Sequence, residues 1–389
     1  MPRPPRVLVL HNRYRMEGGE ERAVELQAAA LANAGVEHRL LERRSSDTGH
    51  ARAAAALLRG GEDPAEVAAA VRELQADVVH VHNLQPLLGP RALAAARAAG
   101  ARVVAQLHNF RLFCAIGVAS RDGAPCFRCH HRRTLPGLVL NCRGSLPEAA
   151  AYAAGLALQQ PATVEGVDAF VVPSASTREQ VVLLGLPRER VAVVRHYLPE
   201  TAFAADSAAS SGAYALVTAR LSEEKGVAVA IRASALTGVP LRVAGDGPER
   251  PALTALAREL GAPVEFLGRA DRAALADLLR GAAVVLVPSR FHETAGYAAM
   301  EAMAAGVPVI ASDLGALPET VGAESCVPMG DADALAVRLA ELWAQPELRT
   351  EQGRLLIERA RERHSEERYV RELLDLYARA GEASALTLA

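Results

Sequence analysis

Short runs rich in valine and leucine alternate with longer, alanine-rich amphipathic runs along most of this chain. In the first half the pattern predicts strands at Val7–His11, Val36–Leu41, Val78–His82, Val103–His108, Ala169–Val172 and Val191–Arg195. Helical runs fill most of the gaps, among them Glu21–Ala34, Arg91–Ala99 and Leu146–Gln159. Glu200 to Gly212, a stretch of small and polar residues, reads as a linker. The alternation then restarts, with strands expected at Ala213–Thr218, Leu241–Ala244, Val264–Leu267, Ala283–Val287 and Val307–Ile310. Strands that alternate with helices in this way predict doubly wound α/β architecture. Near the end, Tyr369, Val370, Leu373, Leu374 and Tyr377 recur at three- and four-residue spacing. They predict one amphipathic helix from Ser365 to Ala380.

A chain of 389 residues exceeds one ordinary core, and the restart of the pattern places two domains on either side of the linker. The net charge of −2 argues against a nucleic-acid binder that works by bulk electrostatics. No apolar run approaches the roughly 20 residues needed to cross a bilayer. The opening MPRPPRVLVLH reads as a first strand rather than a signal peptide, and a cytoplasmic location is expected.

Rare residues sharpen the picture. The 43 basic residues are 42 arginines and a single lysine, Lys225. A GC-rich genome explains scarce lysine without any function, yet Lys225 falls in the loop after a predicted strand, five residues from Arg220. Two such cations can clamp a diphosphate, arginine as a bidentate fork and lysine as a compact point charge; the bland reading is a solvated surface pair. Three of the five asparagines follow a histidine: Asn12, Asn83 and Asn109. Each His-Asn pair closes a predicted strand, where imidazoles and amides can hydrogen-bond hydroxyls without formal charge. The alternative is that they only start turns.

Gly18-Gly19 precedes the first helix, where a bare backbone can approach a phosphate at a helix N-terminus. Gly245-Asp246-Gly247-Pro248 starts like a dinucleotide fingerprint but lacks the glycine or alanine needed at Arg250. A nicotinamide enzyme is therefore disfavoured. Cys114, Cys126, Cys129 and Cys142 lie within 29 residues, in a spacing that fits a structural zinc site of four thiolates, with disulfides or free thiols as alternatives. Cys326 is expected in a core. Glu293 and Glu301, eight residues apart, occupy a turn after a strand and the helix that follows it. One carboxylate can meet each end of a polyhydroxylated ligand there.

These pieces resemble the retaining glycosyltransferases of family four, which share the GT-B fold of two Rossmann-like doubly wound parallel-sheet domains facing a central cleft. The resembling segments run almost end to end: Gly18-Gly19-Glu20, HVHN, QLHNFRLFC, ARLSEEKG, AGDGP, FLGR, and the two-glutamate stretch ending in AAGVPVIASDLGALPE. The resemblance implies an acceptor-binding domain over 1–205 with its cysteine-bearing insertion at 110–145, and a nucleotide-sugar domain over 206–364. It further implies that the helix of 365–389 crosses back to the first domain.

Position by position, the resemblance implies that Glu301 binds ribose hydroxyls and Glu293 contacts donor-sugar hydroxyls. Ala295 and Gly296 offer backbone N–H groups to the phosphates, Arg220 and Lys225 clamp the diphosphate, Gly18 and Gly19 close over it, and His108 lies near the donor sugar. Catalytic roles fall to His108, Arg220, Lys225 and Glu293, with Asn12, Asn83 and Asn109 on the acceptor side. The family usually carries an aromatic residue in the turn after the first glutamate, and Thr294-Ala295-Gly296 lacks it. The implied reaction is transfer from a UDP- or GDP-sugar to an acceptor hydroxyl; no cofactor is expected for catalysis, and structural zinc remains one reading of the cysteine spacing. A non-catalytic nucleotide-sugar or oligosaccharide binder and a nucleotide-sugar isomerase are the alternatives.

Overall fold

The computed structural model describes residues 3–14 and 18–380. By its internal contacts the chain forms two units. The first comprises Met1–Ala119, Cys126–His196 and Glu367–Ala389; the second comprises Ser120–Pro125 and Tyr197–Glu366. The C-terminal helix, Glu366–Arg379, thus counts almost wholly with the first unit.

Strands β1 (Val7–Arg13), β2 (His38–Arg44), β3 (Val78–Asn83) and β4 (Arg102–Gln106) belong to the first unit. A two-stranded hairpin follows, β5 (Ser120–Arg121) and β6 (Ala124–Pro125), and then β7 (Ala169–Val172) and β8 (Val191–Val193). The second unit continues with β9 (Tyr214–Thr218), β10 (Leu241–Ala244), β11 (Val264–Gly268), β12 (Ala282–Val287), β13 (Val309–Ser312) and β14 (Cys326–Val327). Apart from the hairpin, every pairing is parallel. Central strands such as β3 and β12 are buried along their whole length, so each sheet is covered on both faces.

The sheet orders are β2-β1-β3-β4-β7-β8 and β11-β10-β9-β12-β13-β14. The chain reverses its direction of travel across the sheet after β2 and after β11. The resulting switch points lie between β1 and β3, and between β9 and β12. A crevice forms outside the carboxyl ends of strands at such points, and ligands bind there.

Three predicted boundaries shift for identifiable reasons. Val36 and Val307, expected in strands, instead close the preceding helices. Each follows a glycine with positive φ (Gly35 +68°, Gly306 +72°), and each donates its N–H to a helix carbonyl, Leu31 at 2.9 Å and Ala302 at 2.9 Å. Both are helix C-caps with an apolar residue just beyond the glycine. The helix expected to stop at Gln159 runs on through Pro161 to Gly166. Pro161 cannot donate to Ala157, and Arg132 Nε donates to that carbonyl at 3.0 Å instead. The two-residue edge strand β14 was not anticipated.

Candidate functional site

In the second unit, the loops after β9 and β12 meet at the switch point. The loop after β9 ends in a 3₁₀ turn, Glu223–Lys225, and then Gly226 at φ +65°. A Cβ on Gly226 would lie 1.9 Å from the Pro288 carbonyl, so only glycine lets this loop pack against the end of β12. That contact brings Lys225 Nζ to 2.8 Å from Glu293 Oε1, which also accepts from Ser289 Oγ at 2.7 Å. Lys225 Nζ further sits 4.6 Å from the centre of the Phe291 ring, a cation–π contact.

Glu293 is held from behind as well. Its carbonyl accepts from Ala316 N–H at 2.8 Å, and Gly315, at φ +63°, packs so close that a Cβ would fall 2.6 Å from that oxygen. Immediately after it, Ala295 is buried and Gly296, at φ +79°, caps the helix Tyr297–Ala304, which carries Glu301. The N–H groups at this helix start favour an anion.

Arg220 is folded back on its own loop, paired with Glu224 and donating from Nε to Ser222 at 3.2 Å. Burial pushes the Glu224 carboxyl up, but the hydrogen bonds from Ser222 and Arg220 outweigh it and hold the group below its ordinary value. The Gly-Asp-Gly-Pro turn is a packing device. Cβ atoms at Gly245 and Gly247 would lie 1.8 Å from the Ala219 carbonyl and 2.3 Å from that of Leu221, so this loop is pressed against the arginine loop.

In the first unit, a cavity open to solvent lies beyond the ends of β3 and β4. Tyr14, Glu20, His82, Asn83, His108 and Arg111 are among its lining residues. Four buried polar atoms of its walls have no hydrogen-bond partner among the described residues: Glu20 Oε1, Gln85 Oε1, Gln106 Nε2 and Arg111 Nε. Burial raises the Glu20 carboxyl to about 8, with the charge of Glu21 adding to the shift and Arg111 opposing it. Asn109 Nδ2 donates to the other Glu20 oxygen at 3.0 Å, and the Arg111 guanidinium lies 4.7 Å over the Tyr14 ring.

The three asparagines are already engaged in the fold. Asn12 donates to Ser45 Oγ at 2.8 Å and accepts from Leu87 N–H at 3.1 Å. Asn83 donates to the Asn12 carbonyl at 2.6 Å and accepts from Gln85 N–H at 3.1 Å, while Asn109 accepts from Arg111 N–H at 2.8 Å. Asn83 and Asn109 thus start turns through their side-chain oxygens, whereas Asn12 ties the end of β1 to segments distant in sequence. Asn83 and Asn109 line the cavity, and Asn12 is fully buried outside its lining.

Gly18 is extended at φ −152°, a conformation open to any residue, and a Cβ there would meet Glu21 Oε2 at an ordinary 3.7 Å. Folding alone therefore does not demand this glycine. Glu21 caps the helix start, accepting from Gly18 N–H at 2.7 Å. The neighbouring Arg15, Met16 and Glu17 lie outside the described residues.

His108, at the end of the β4 segment, stacks on His82 at 5.1 Å and on His196 at 5.4 Å between ring centres. His82 stacks in turn on His80 at 4.8 Å. Burial holds the imidazoles of His80, His82 and His108 well below their ordinary value, so all are neutral near pH 7.

Cys114, Cys126, Cys129 and Cys142 are free thiols, all partly buried. Among the described residues, no three histidine, cysteine or carboxylate side chains are arranged to hold a metal ion. Cys114 packs on the core of the first unit, and Cys129 Sγ points at the Thr134 carbonyl, 3.9 Å away. Burial raises the Cys129 thiol to about 11, and the other three thiols lie near enough to add to the shift. Cys326 packs against the second unit's core from the edge strand.

Sequence reasoning missed Glu20, Arg111, Tyr14 and Gln27. The double glycine pointed to the first helix, but nothing in the local pattern marked Glu20 as buried.

Comparison with known proteins matches residues 18–196 to the glycosyl transferase 4-like domain and residues 200–363 to glycosyl transferases group 1. Over 112 residues the chain is 43% identical to a GDP-mannose-dependent alpha-(1-6)-phosphatidylinositol dimannoside mannosyltransferase of Mycobacterium tuberculosis, covering 27% of this chain and 29% of that protein. Over 193 residues it is 31% identical to a glycogen synthase of the same species, covering 46% of each. The chain thus spans less than half the length of these curated relatives. Among solved structures, Anabaena HepE in complex with UDP superposes with a TM-score of 0.68 at 16% identity, over 96% of this chain and 99% of that one. A sucrose-phosphate synthase from Thermosynechococcus elongatus does so with a TM-score of 0.72 at 20% identity, over 97% and 100%. The fold they share is GT-B.

Proposed function

This chain belongs to the group 1, family-four glycosyltransferases, and from that premise we propose that it transfers a sugar from a nucleoside-diphosphate donor to an acceptor hydroxyl with retention of configuration. The observation that carries the reading is the Lys225–Glu293 pair at the second sheet's switch point, beside the helix start at Gly296.

As the bond from the anomeric carbon to phosphate breaks, its electron pair moves onto the diphosphate. Lys225, Arg220 and the N–H groups at Gly296 are suited to stabilise that charge, which is the usual largest catalytic term. Lys225 has three donors, and one of them is committed to Glu293. Glu293, fixed by Lys225 and Ser289, serves as a holder of sugar hydroxyls rather than a nucleophile. The acceptor oxygen attacks from the face the diphosphate leaves, and its proton passes to the departing phosphate oxygen. Two side-chain cations supply the positive charge, and the reaction as proposed uses no metal. Glu301, further along the helix from Gly296, holds the ribose.

The first unit's cavity is read as the acceptor side. Its four unpartnered atoms are two N–H donors, the Gln85 carbonyl oxygen and the Glu20 Oε1, which as a protonated carboxyl both donates and accepts, a set that suits a polyhydroxylated compound better than a polyanion.

The relatives' names direct the first trial to UDP- and GDP-sugars. The protein is incubated with each donor, with and without candidate sugar or cyclitol acceptors. Acceptor-dependent release of nucleoside diphosphate, with the new glycosidic bond keeping the donor's anomeric configuration, is the expected result. Sugar interconversion without acceptor, or binding without products, would overturn it.

A further inference from the structure

A chain of side-chain hydrogen bonds runs through the first unit from the C-terminal helix to His108. Gln27 Nε2 lies 2.9 Å from Tyr377 Oη and 3.0 Å from His80 Nδ1, and Tyr377 Oη is 2.7 Å from the same nitrogen. The other end of the Gln27 amide, Oε1, is hydrogen-bonded to His82 Nε2. His82 Nδ1 lies 2.8 Å from His108 Nε2. All five side chains belong to the same unit.

Donor and acceptor rules fix the hydrogens once the Gln27 amide is oriented, and the flipped amide would give the opposite tautomers. The Gln27 NH₂ faces Tyr377 and His80, so its oxygen faces His82. An amide oxygen only accepts, hence His82 Nε2 carries a hydrogen. A neutral imidazole has one N–H, so His82 Nδ1 is a lone pair. The 2.8 Å contact then requires the hydrogen on His108 Nε2, which leaves the His108 lone pair on Nδ1.

We propose that Gln27 and His82 are positioning residues that lock His108 in its Nε2-protonated tautomer, with Tyr377 on the C-terminal helix orienting Gln27. This rests on the reading of the first unit's cavity, which His108 lines, as a site for sugar hydroxyls. His108 Nδ1 is then a hydrogen-bond acceptor and its Nε2 hydrogen is committed to His82, so the ring has no hydrogen to give as a general acid. A second-row partner that sets which ring nitrogen is protonated in this way is a common device. Gln27 also lies on the helix Gly19–Asn33 that begins at the double glycine, so the phosphate loop and the relay share one rigid element.

Nitrogen-15 labelling of the 11 histidines tests this directly, because protonated and lone-pair ring nitrogens resonate far apart. The His108 signals are assigned by their loss in His108→Asn. In the unmodified protein His108 is expected as the Nε2–H tautomer; an Nδ1–H pattern overturns the proposal without any variant having to fold. Gln27→Met should give mixed tautomers at His108 and lower kcat by roughly 10- to 100-fold, the scale of outer partners that orient imidazoles at metal sites. Gln27→Glu retains an oxygen facing His82 and should restore the single tautomer. An unchanged tautomer in Gln27→Met overturns the relay. Should His108→Ala leave transfer intact while the tautomers behave as expected, the reading of the cavity as a sugar-binding site through His108 fails and the relay stands.

Discussion

Lys225 Nζ and Glu293 Oε1 are 2.8 Å apart, and that one contact ties the loop after β9 to the loop after β12 across a topological switch point. The pair is partly shielded, with the glutamate side chain 11% and the lysine side chain 26% exposed. Lys225→Ala should lower kcat by about 10²- to 10³-fold if the ammonium acts as one preorganised donor to the leaving phosphate. Lys225→Arg should also be impaired, since a planar fork does not reproduce a point charge seated between a carboxylate and the Phe291 ring. Steady-state kinetics with saturating donor decide the matter, and near-normal kcat in Lys225→Ala would remove the residue from the reaction.

Gly315→Ala tests how tightly the glutamate is held. The position has φ +63°, and its Cβ would press on the Glu293 backbone at 2.6 Å from the carbonyl and 2.7 Å from the nitrogen. Strain of this kind costs about 1–3 kcal/mol, and relief must come by moving Glu293. A lower melting temperature together with weaker donor binding by calorimetry is expected. A variant that loses stability but binds donor normally would show that Glu293 does not contact the sugar.

Much of this site was legible because its parts are local. Glu293, the arginine–lysine loop and the double glycine each lie within a few residues of a strand end, with Glu301 on the helix that follows, and strand ends can be read from apolar runs. The relay from Tyr377 through Gln27 to His108 was not legible. Its members come from separate elements, and only the order β1-β3-β4 and the docking of the last helix bring them together. The strand errors at Val36 and Val307 have a related origin. An apolar residue after a glycine reads as the first of a strand, whereas the hydrogen bond it makes belongs to the helix behind it. The asparagines show the converse: their positions were plain, but their partners, backbone groups together with Ser45 and Glu20, are displayed by no motif.

Stability should fall as the solution is made acidic. Burial lowers His11 and His292 to about 4 and His80 to about 3, and it holds His82 and His108 well below the ordinary 6.5. Below pH 6.5 the unfolded chain binds protons that the folded chain refuses, so stability present above 6.5 is lost as pH drops toward 4. Each such group contributes about 1.4 kcal/mol per pH unit across that window. Melting temperatures between pH 7.5 and 4.5 should decline steeply; a flat profile would contradict neutral, buried imidazoles.

Glu20 works in the opposite direction, which gives it a separate signature. Its folded value of about 8 stands above the ordinary 4.5, so the folded chain keeps a proton that the unfolded chain releases. The stability this adds is complete below 4.5 and is lost as pH rises through 8. Glu20→Gln mimics the protonated carboxyl, so its melting temperature should gain on that of the unmodified protein as pH climbs from 6 to 9. The same atom that lacks a partner, Oε1, faces the cavity read as the acceptor side. Glu20→Ala should therefore raise the acceptor KM by about 10-fold, the worth of one hydrogen bond to such a group, while donor affinity stays within about 2-fold. Equal losses for donor and acceptor would move Glu20 out of the acceptor site and make it a support for the helix that starts at the double glycine.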